Sequence, residues 1–197
     1  MPARHRAQQL LHAGPAGFAG PGARPQYMPD LPLEPEHMEL EAWVELGTRT
    51  VRVSVVHSLR ATRDGARTLR LDGVDLLALV VDDPDGEALE WRYDGDAVHI
   101  TWATPRSRDQ RCRVRVRYEV QDPLTGMLFR GQGEGRFAAT DHETERARHW
   151  LCCVDHPAVR TTLAMRIRAE TGLTVLANGE RGGCEDHDDG TSTTTWT

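Results

Sequence analysis

The sequence predicts an all-β fold of strongly curved antiparallel sheets packed like a sandwich. Three observations carry that prediction. Apolar residues recur with period 2 through most of the chain, turn-forming residues punctuate them at short spacing, and the helical period of 3.6 is almost absent. The clearest run is Arg111-Cys112-Arg113-Val114-Arg115-Val116-Arg117-Tyr118, in which every odd position is Arg and every even position can be buried. A strand with one wet face gives that pattern; a helix does not.

The chain opens on a different composition. Residues 1–26 hold six Ala, four Gly, four Pro and three Arg, with no acidic residue. Such a stretch cannot bury enough apolar surface to offset its ordering entropy, so 1–26 is expected to be a disordered tail and 27–197 the folded domain. Met38, Leu40, Ala42, Val44 and Leu46 then share one strand face against Glu39, Glu41 and Glu45. Val51, Val53 and Val55 alternate with Arg52 and Ser54. The same alternation runs through Leu89, Trp91 and Tyr93, through Val98, Ile100 and Trp102, and through Leu163, Met165 and Ile167. Arg63-Asp64-Gly65, Asp83-Pro84-Asp85-Gly86, Asp94-Gly95-Asp96 and Asn178-Gly179 supply the turns. At most one short helix is expected, near Asp141 to His149. Arg181 to Asp189 reads as a solvated loop with an acidic hairpin tip, without the ligand spacing of a calcium loop.

Charge and cysteine usage narrow the function. Asp and Glu number 30 against 24 basic residues, all of them Arg, for a formal net charge of -6. A mildly acidic chain is a poor general binder of nucleic acid, whose affinity comes from phosphate neutralisation. The Arg stripe 111–117 carries no interleaved aromatic stacking pair and is expected to pair with acidic strand faces such as Glu39, Glu41 and Glu45. Apolar runs such as Leu76 to Val81 are far shorter than the ~20 residues that span a bilayer. Leu10-Leu11, followed by His12 and Gly14, lacks the apolar core of a secretory signal. Neither nucleic acid nor membrane is therefore an expected partner. The four cysteines, at 112, 152, 153 and 184, show no CxxC spacing, and their free thiols point to the cytoplasm.

Chemistry-bearing residues concentrate in Thr140 to Pro157, with three His, two Cys and four acidic residues. His142-Glu143-Thr144-Glu145-Arg146 begins like the zinc-peptidase motif HExxH, but its fifth residue is Arg, which cannot ligate. His149, Cys152, Cys153 and His156 would line one helical face as a metal site, yet Val154 and Pro157 argue for extended chain, and adjacent cysteines lack the usual ligand spacing. As small buried hydrophobes these cysteines need no ligand role. A third reading is a carboxylate, presented just before a strand, that accepts an ammonium group.

The block Ala147-Arg148-His149-Trp150-Leu151-Cys152-Cys153-Val154-Asp155-His156-Pro157, with Thr161-Thr162-Leu163 and Leu173 to Gly179, resembles the N-terminal domain of the aminopeptidase N / leukotriene-hydrolase group of zinc aminopeptidases. The family pattern is roughly A-R-x-x-x-P-C-x-D-x-P; here Cys152 stands where Pro is usual and His156 where Glu is common. The opening strands, from Met38-Glu39-Leu40-Glu41 to Leu69 through Val74, are similar to the family's as well, so the likeness spans about residues 34–197.

The resemblance implies a saddle-shaped β-domain that lies across a catalytic domain and closes one side of its substrate cavity. Glu143 matches the family Glu that holds the free α-amino group of a peptide, and Asp141 matches an assisting neighbour, often Gln. Arg148 and Asp155 are expected to serve structure. The partners implied are peptide N-termini and a downstream catalytic domain, with zinc bound in that domain and none in this chain. No HExxH and no GAMEN-like strand occurs in these residues. The chain is accordingly expected to be a domain fragment of a longer enzyme, or a truncated reading frame, inactive alone. The alternative is a non-catalytic scaffold or interaction module of the same fold.

Overall fold

A computed structural model describes residues 27–197, so the tail expected at 1–26 lies outside the described residues. Leu31–Thr197 form one compact unit, to which every element below belongs. Its strands are β1 (Leu33–Glu45), β2 (Thr50–Ala61), β3 (Ala66–Asp72), β4 (Leu77–Asp82), β5 (Leu89–Tyr93), β6 (Ala97–Arg106), β7 (Arg111–Gln121), β8 (Met127–Arg130), β9 (Phe137–Thr140), β10 (Thr162–Glu170), β11 (Arg181–Asp186) and β12 (Thr191–Trp196). They make a seven-stranded sheet in the order β11-β12-β10-β1-β2-β7-β4, a three-stranded sheet β3-β6-β5 and a hairpin β8-β9. The all-β prediction holds.

Alternation builds the core as the sequence suggests. Val51, Val53 and Val55 of β2 and Val114, Val116 and Tyr118 of β7 are buried in one cluster with Leu69, Leu71, Ile100 and Trp102 of the smaller sheet. β2 and β7 are antiparallel neighbours that oppose Val55 to Val116 and Val53 to Tyr118, so one face of both strands enters the core together. Trp102 is fully buried, and its indole N–H donates to Asp83 at 3.1 Å, which satisfies the one polar atom that ring brings inside.

Four details differ from the sequence expectations. β1 and β10 pair in parallel, within a set of pairings otherwise antiparallel. β2 reaches one edge of β1 by a tight hairpin, whereas β10 arrives at the other edge from a distant part of the chain, so no turn fixes its direction. Second, Asp141 to His149 is not an α-helix: Glu145 takes φ 57°, which helical backbone cannot accommodate, and only Ala147–His149 closes a 3₁₀ turn. Third, Arg181–Asp186 is an edge strand rather than a loop, with the turn confined to the residues before Thr191.

The fourth difference concerns the Arg stripe of β7. Arg111 pairs with Glu36, Arg113 with Asp85, and Arg115 and Arg117 both with Asp82. The strand faces at Glu41 and Glu45 instead meet Arg166 and Arg52. β7 lies between β2 and β4, so its long side chains pair with carboxylates from the β4 side and from the start of β1, while Glu39 in the middle of β1 acts on Arg113 through its charge. These surface pairs neutralise the stripe while each adds little to stability.

Candidate functional site

The block after Ala147 is sewn onto the core through its own backbone, by groups from three strands. Cys153 and Asp72, at the end of β3, exchange backbone hydrogen bonds: the Asp72 N–H donates at 2.6 Å and the Cys153 N–H at 3.1 Å. The Tyr118 hydroxyl of β7 donates to the Trp150 carbonyl at 3.0 Å and accepts the Cys152 N–H at 2.8 Å. Burial pushes that phenol well above its ordinary pKa, so it remains a donor throughout the working range. From β2, the His57 Nε2–H donates to the Cys152 carbonyl at 3.0 Å.

His57 is fully buried and makes no second hydrogen bond, because its Nδ1 has no partner among the described residues. Burial lowers its pKa from 6.5 to about 4, although the bond to Cys152 opposes the shift. Between pH 6.5 and about 4 the unfolded chain takes up a proton that the folded chain refuses, so folding stability falls as pH falls through that interval and levels off below it. We expect a loss of about 3 kcal/mol from this group across the interval, and little change from it above pH 6.5. An NMR titration of the His57 ring checks this directly. A midpoint near 6.5 in the folded protein would contradict the burial.

Charged side chains fasten the same block. Arg148 donates from its backbone N–H and from Nε to Asp155 Oδ2, at 3.2 and 2.9 Å, and from Nη2 to the Asp155 carbonyl at 3.1 Å. Its Nη1 lies 3.8 Å from Asp72, whose second carboxylate oxygen accepts the Asp155 N–H at 3.1 Å. Arg70 pairs with Asp72 from outside. The Asp72 side chain is 7% exposed and that of Asp155 11%, so two carboxylates share one half-buried guanidinium. Burial works against the Arg148 charge, but Asp155, Asp72 and Glu145 outweigh it and hold the pKa above its ordinary value.

The thiols give a simple check on this packing. Cys112, Cys152 and Cys153 are buried and Cys184 is exposed, all four unbridged. Burial pushes the three buried thiols up, which removes both access and thiolate. We expect one thiol of the four to react promptly with DTNB at neutral pH and all four to react in denaturant. Prompt reaction of a second thiol in the folded protein would contradict the seal.

Ahead of the block, residues 141–146 form a tight loop. The Asp141 N–H donates to the Gly126 carbonyl at 3.0 Å, and the Arg146 N–H to the His142 carbonyl at 3.3 Å. Asp141 accepts the Glu143 N–H on Oδ1 at 3.2 Å and the Arg146 guanidinium on Oδ2 at 2.9 Å. The Trp150 indole N–H donates to His142 Nε2 at 2.8 Å. Gly126 has φ 80°, and a Cβ there would sit 2.0 Å from the Arg146 carbonyl oxygen, so the loop rests on bare backbone.

Glu143 stands at the apex of this bracing. Its backbone is held by Asp141, yet its side chain is exposed, and its carboxylate has no hydrogen-bond or ionic partner among the described residues. Asp141 lies in the same loop with both carboxylate oxygens engaged. Arg148 and Asp155 are brought together, a short turn away from the loop. Sequence reasoning missed Asp72, Tyr118 and His57. His57 and Tyr118 sit where the period-2 inward faces of β2 and β7 continue, which was a usable signal; Asp72 carried none. Among the described residues no group of three or more His, Cys, Asp or Glu is placed to hold a metal. The row His149, Cys152, Cys153, His156 does not share a helical face, because the helical turn ends at His149.

Comparison with known proteins places this arrangement. The model of the peptidase M1 N-terminal domain matches residues 34–197. A leucyl aminopeptidase of Saccharolobus solfataricus is 26% identical over 114 residues, covering 56% of this chain and 14% of that protein. The M1 zinc metallopeptidase of Deinococcus radiodurans is similar in fold, with a TM-score of 0.68 at 19% identity over 83% of this chain and 38% of that one. A mutant of that enzyme bound to a Tyr-Ser-Ala substrate gives a TM-score of 0.69 at 20% identity, over 84% of this chain and 39% of that one. The chain thus spans a minor part of the length of each.

Proposed function

Since the chain belongs to the peptidase M1 N-terminal domain family, we propose that it closes one side of a peptidase cavity and binds the free α-amino end of the peptide through Glu143. The observation that carries this reading is the contrast within the loop. Asp141, His142 and Arg146 are engaged in bracing the loop, whereas the Glu143 carboxylate is exposed and unpaired among the described residues. A peptide N-terminus is an ammonium with hydrogens to donate, and a charge-assisted bond to a carboxylate strengthens once a second surface excludes water. Asp141 assists from beside Glu143, by its negative charge and by fixing the Glu143 N–H. Arg148 and Asp155 act on the frame, not on the substrate.

Zinc does not fit the donor groups of the described residues. In this reading it belongs to the catalytic domain of the parent enzyme, which removes residues one at a time from the peptide end that Glu143 holds. The test of this division of labour is direct. Purified 1–197 is expected to bind no stoichiometric zinc and to leave aminoacyl-arylamides uncleaved with zinc present. A polypeptide that also carries the zinc domain is expected to cleave them and to spare N-acetylated analogues. Zinc-dependent cleavage by 1–197 alone would overturn the assignment.

A further inference from the structure

The His142–Trp150 pair ties the loop to the buried block. Trp150 is an anchored peg: it is buried, its N–H bonds the Ala147 carbonyl at 3.0 Å, and its carbonyl is held by Tyr118. Its indole can only donate, so at 2.8 Å the His142 Nε2 must present a lone pair. The neutral ring therefore carries its proton on Nδ1. The two rings lie 5.9 Å apart at a tilt of 32°, so the contact is a directed hydrogen bond and not a flat stack. His142 directly precedes Glu143, and its carbonyl accepts the Arg146 N–H, so the indole bond fixes the chain at the residue before the exposed carboxylate.

We propose that His142 is a positioning residue that sets the aim of Glu143, and that gain of a proton at Nε2 releases the loop by breaking the bond to Trp150. This rests on the amine-binding reading of Glu143. The imidazolium would carry a hydrogen on both nitrogens, leaving two donors facing each other where one donor and one acceptor stood. The charged groups that act on the ring are Asp155 in the block and Asp141 beside it, whose carboxylate also holds the Arg146 guanidinium. Burial lowers the His142 pKa while Asp155 and Asp141 oppose, and burial prevails. The bond therefore persists at neutral pH and is lost on acidification below the ordinary imidazole range.

The first arm of the test uses 1–197 itself, labelled with ¹⁵N. The Trp150 indole N–H resonance, assigned by its loss in Trp150→Phe, is expected to shift with the same midpoint as the His142 ring. That shift is expected to vanish in His142→Gln, whose amide oxygen accepts the indole at every pH. The second arm uses the polypeptide that also carries the zinc domain. There His142→Phe is expected to lower kcat/KM about fivefold, mainly through KM, the scale of one lost neutral hydrogen bond. His142→Gln is expected to recover most of the loss and to remove the acid limb that His142 imposes on the pH profile.

An indole resonance unmoved by pH, or a His142→Phe enzyme equal to wild type beside a Glu143→Gln enzyme that has lost activity, would overturn the inference alone. A Glu143→Gln enzyme equal to wild type would remove the amine site and the inference with it.

Discussion

Exchanging Glu143 for Gln, in a polypeptide that carries this domain together with the zinc domain, is expected to lower kcat/KM for aminoacyl-arylamides tenfold or more. The substitution preserves shape and the bracing of the backbone by Asp141. It removes only the charge proposed to answer the ammonium. A hydrogen bond to a charged group is worth ~1.5–3 kcal/mol, which corresponds to roughly ten- to hundredfold in rate at limiting substrate. Because the loop holds no other unpaired carboxylate among the described residues, no neighbour can stand in: Asp141 is committed on both oxygens. Glu143→Ala is expected to cost at least as much, and both variants to fold like the wild type. Steady-state kinetics on a free-amine substrate decide the matter. An unchanged kcat/KM removes Glu143 from the site.

The second large effect is on stability. Arg148→Met is expected to destabilise the domain by about 3–5 kcal/mol, the cost of stranding charges at a buried pair. Asp72 and Asp155 would then face each other with no cation between them other than the more exposed Arg70. For a domain of this size that corresponds to a fall in Tm of roughly 10 °C. Arg148→Lys is expected to restore little, because one ammonium cannot reproduce the contacts that Nε and Nη2 make to the Asp155 carboxylate and carbonyl. Urea denaturation monitored by tryptophan fluorescence measures the loss. A change below about 1 kcal/mol would show the network to be ornamental on the scale of exposed ion pairs.

How far the sequence could be read depended on distance along the chain. Strand faces are local, since a residue and its neighbour two places on share a face, so β2, β6 and β7 were legible from Val51, Val98 and Val114 onward. Glu143 was legible as a candidate because the motif that points to it lies within a few residues. Partners brought together by the fold were not. Nothing near Asp72 says that it will meet Cys153, Asp155 and Arg148, and nothing in the β7 stripe says that Asp82 and Asp85 will answer it. β11 was hidden by composition. Gly182, Gly183, Glu185 and Asp186 are poor strand formers, and the register of β11 against β12 is irregular there, as befits an edge that gains pairing on one side only. Of the window 141–149, where at most one short helix is expected, only the 3₁₀ turn Ala147–His149 forms, and Glu145 ahead of it takes a left-handed backbone angle that no pattern of side chains announces.

The parallel seat of β10 beside β1 bears on how the molecule comes into being. On the ribosome, β1 emerges early and gains β2 at once, but its opposite edge must wait until Thr162–Glu170 has left the exit tunnel. A nascent strand with one open edge can recruit foreign strands, and closure across so long a loop is slow. The domain is therefore expected to depend on holding chaperones during synthesis more than a chain built of consecutive hairpins would.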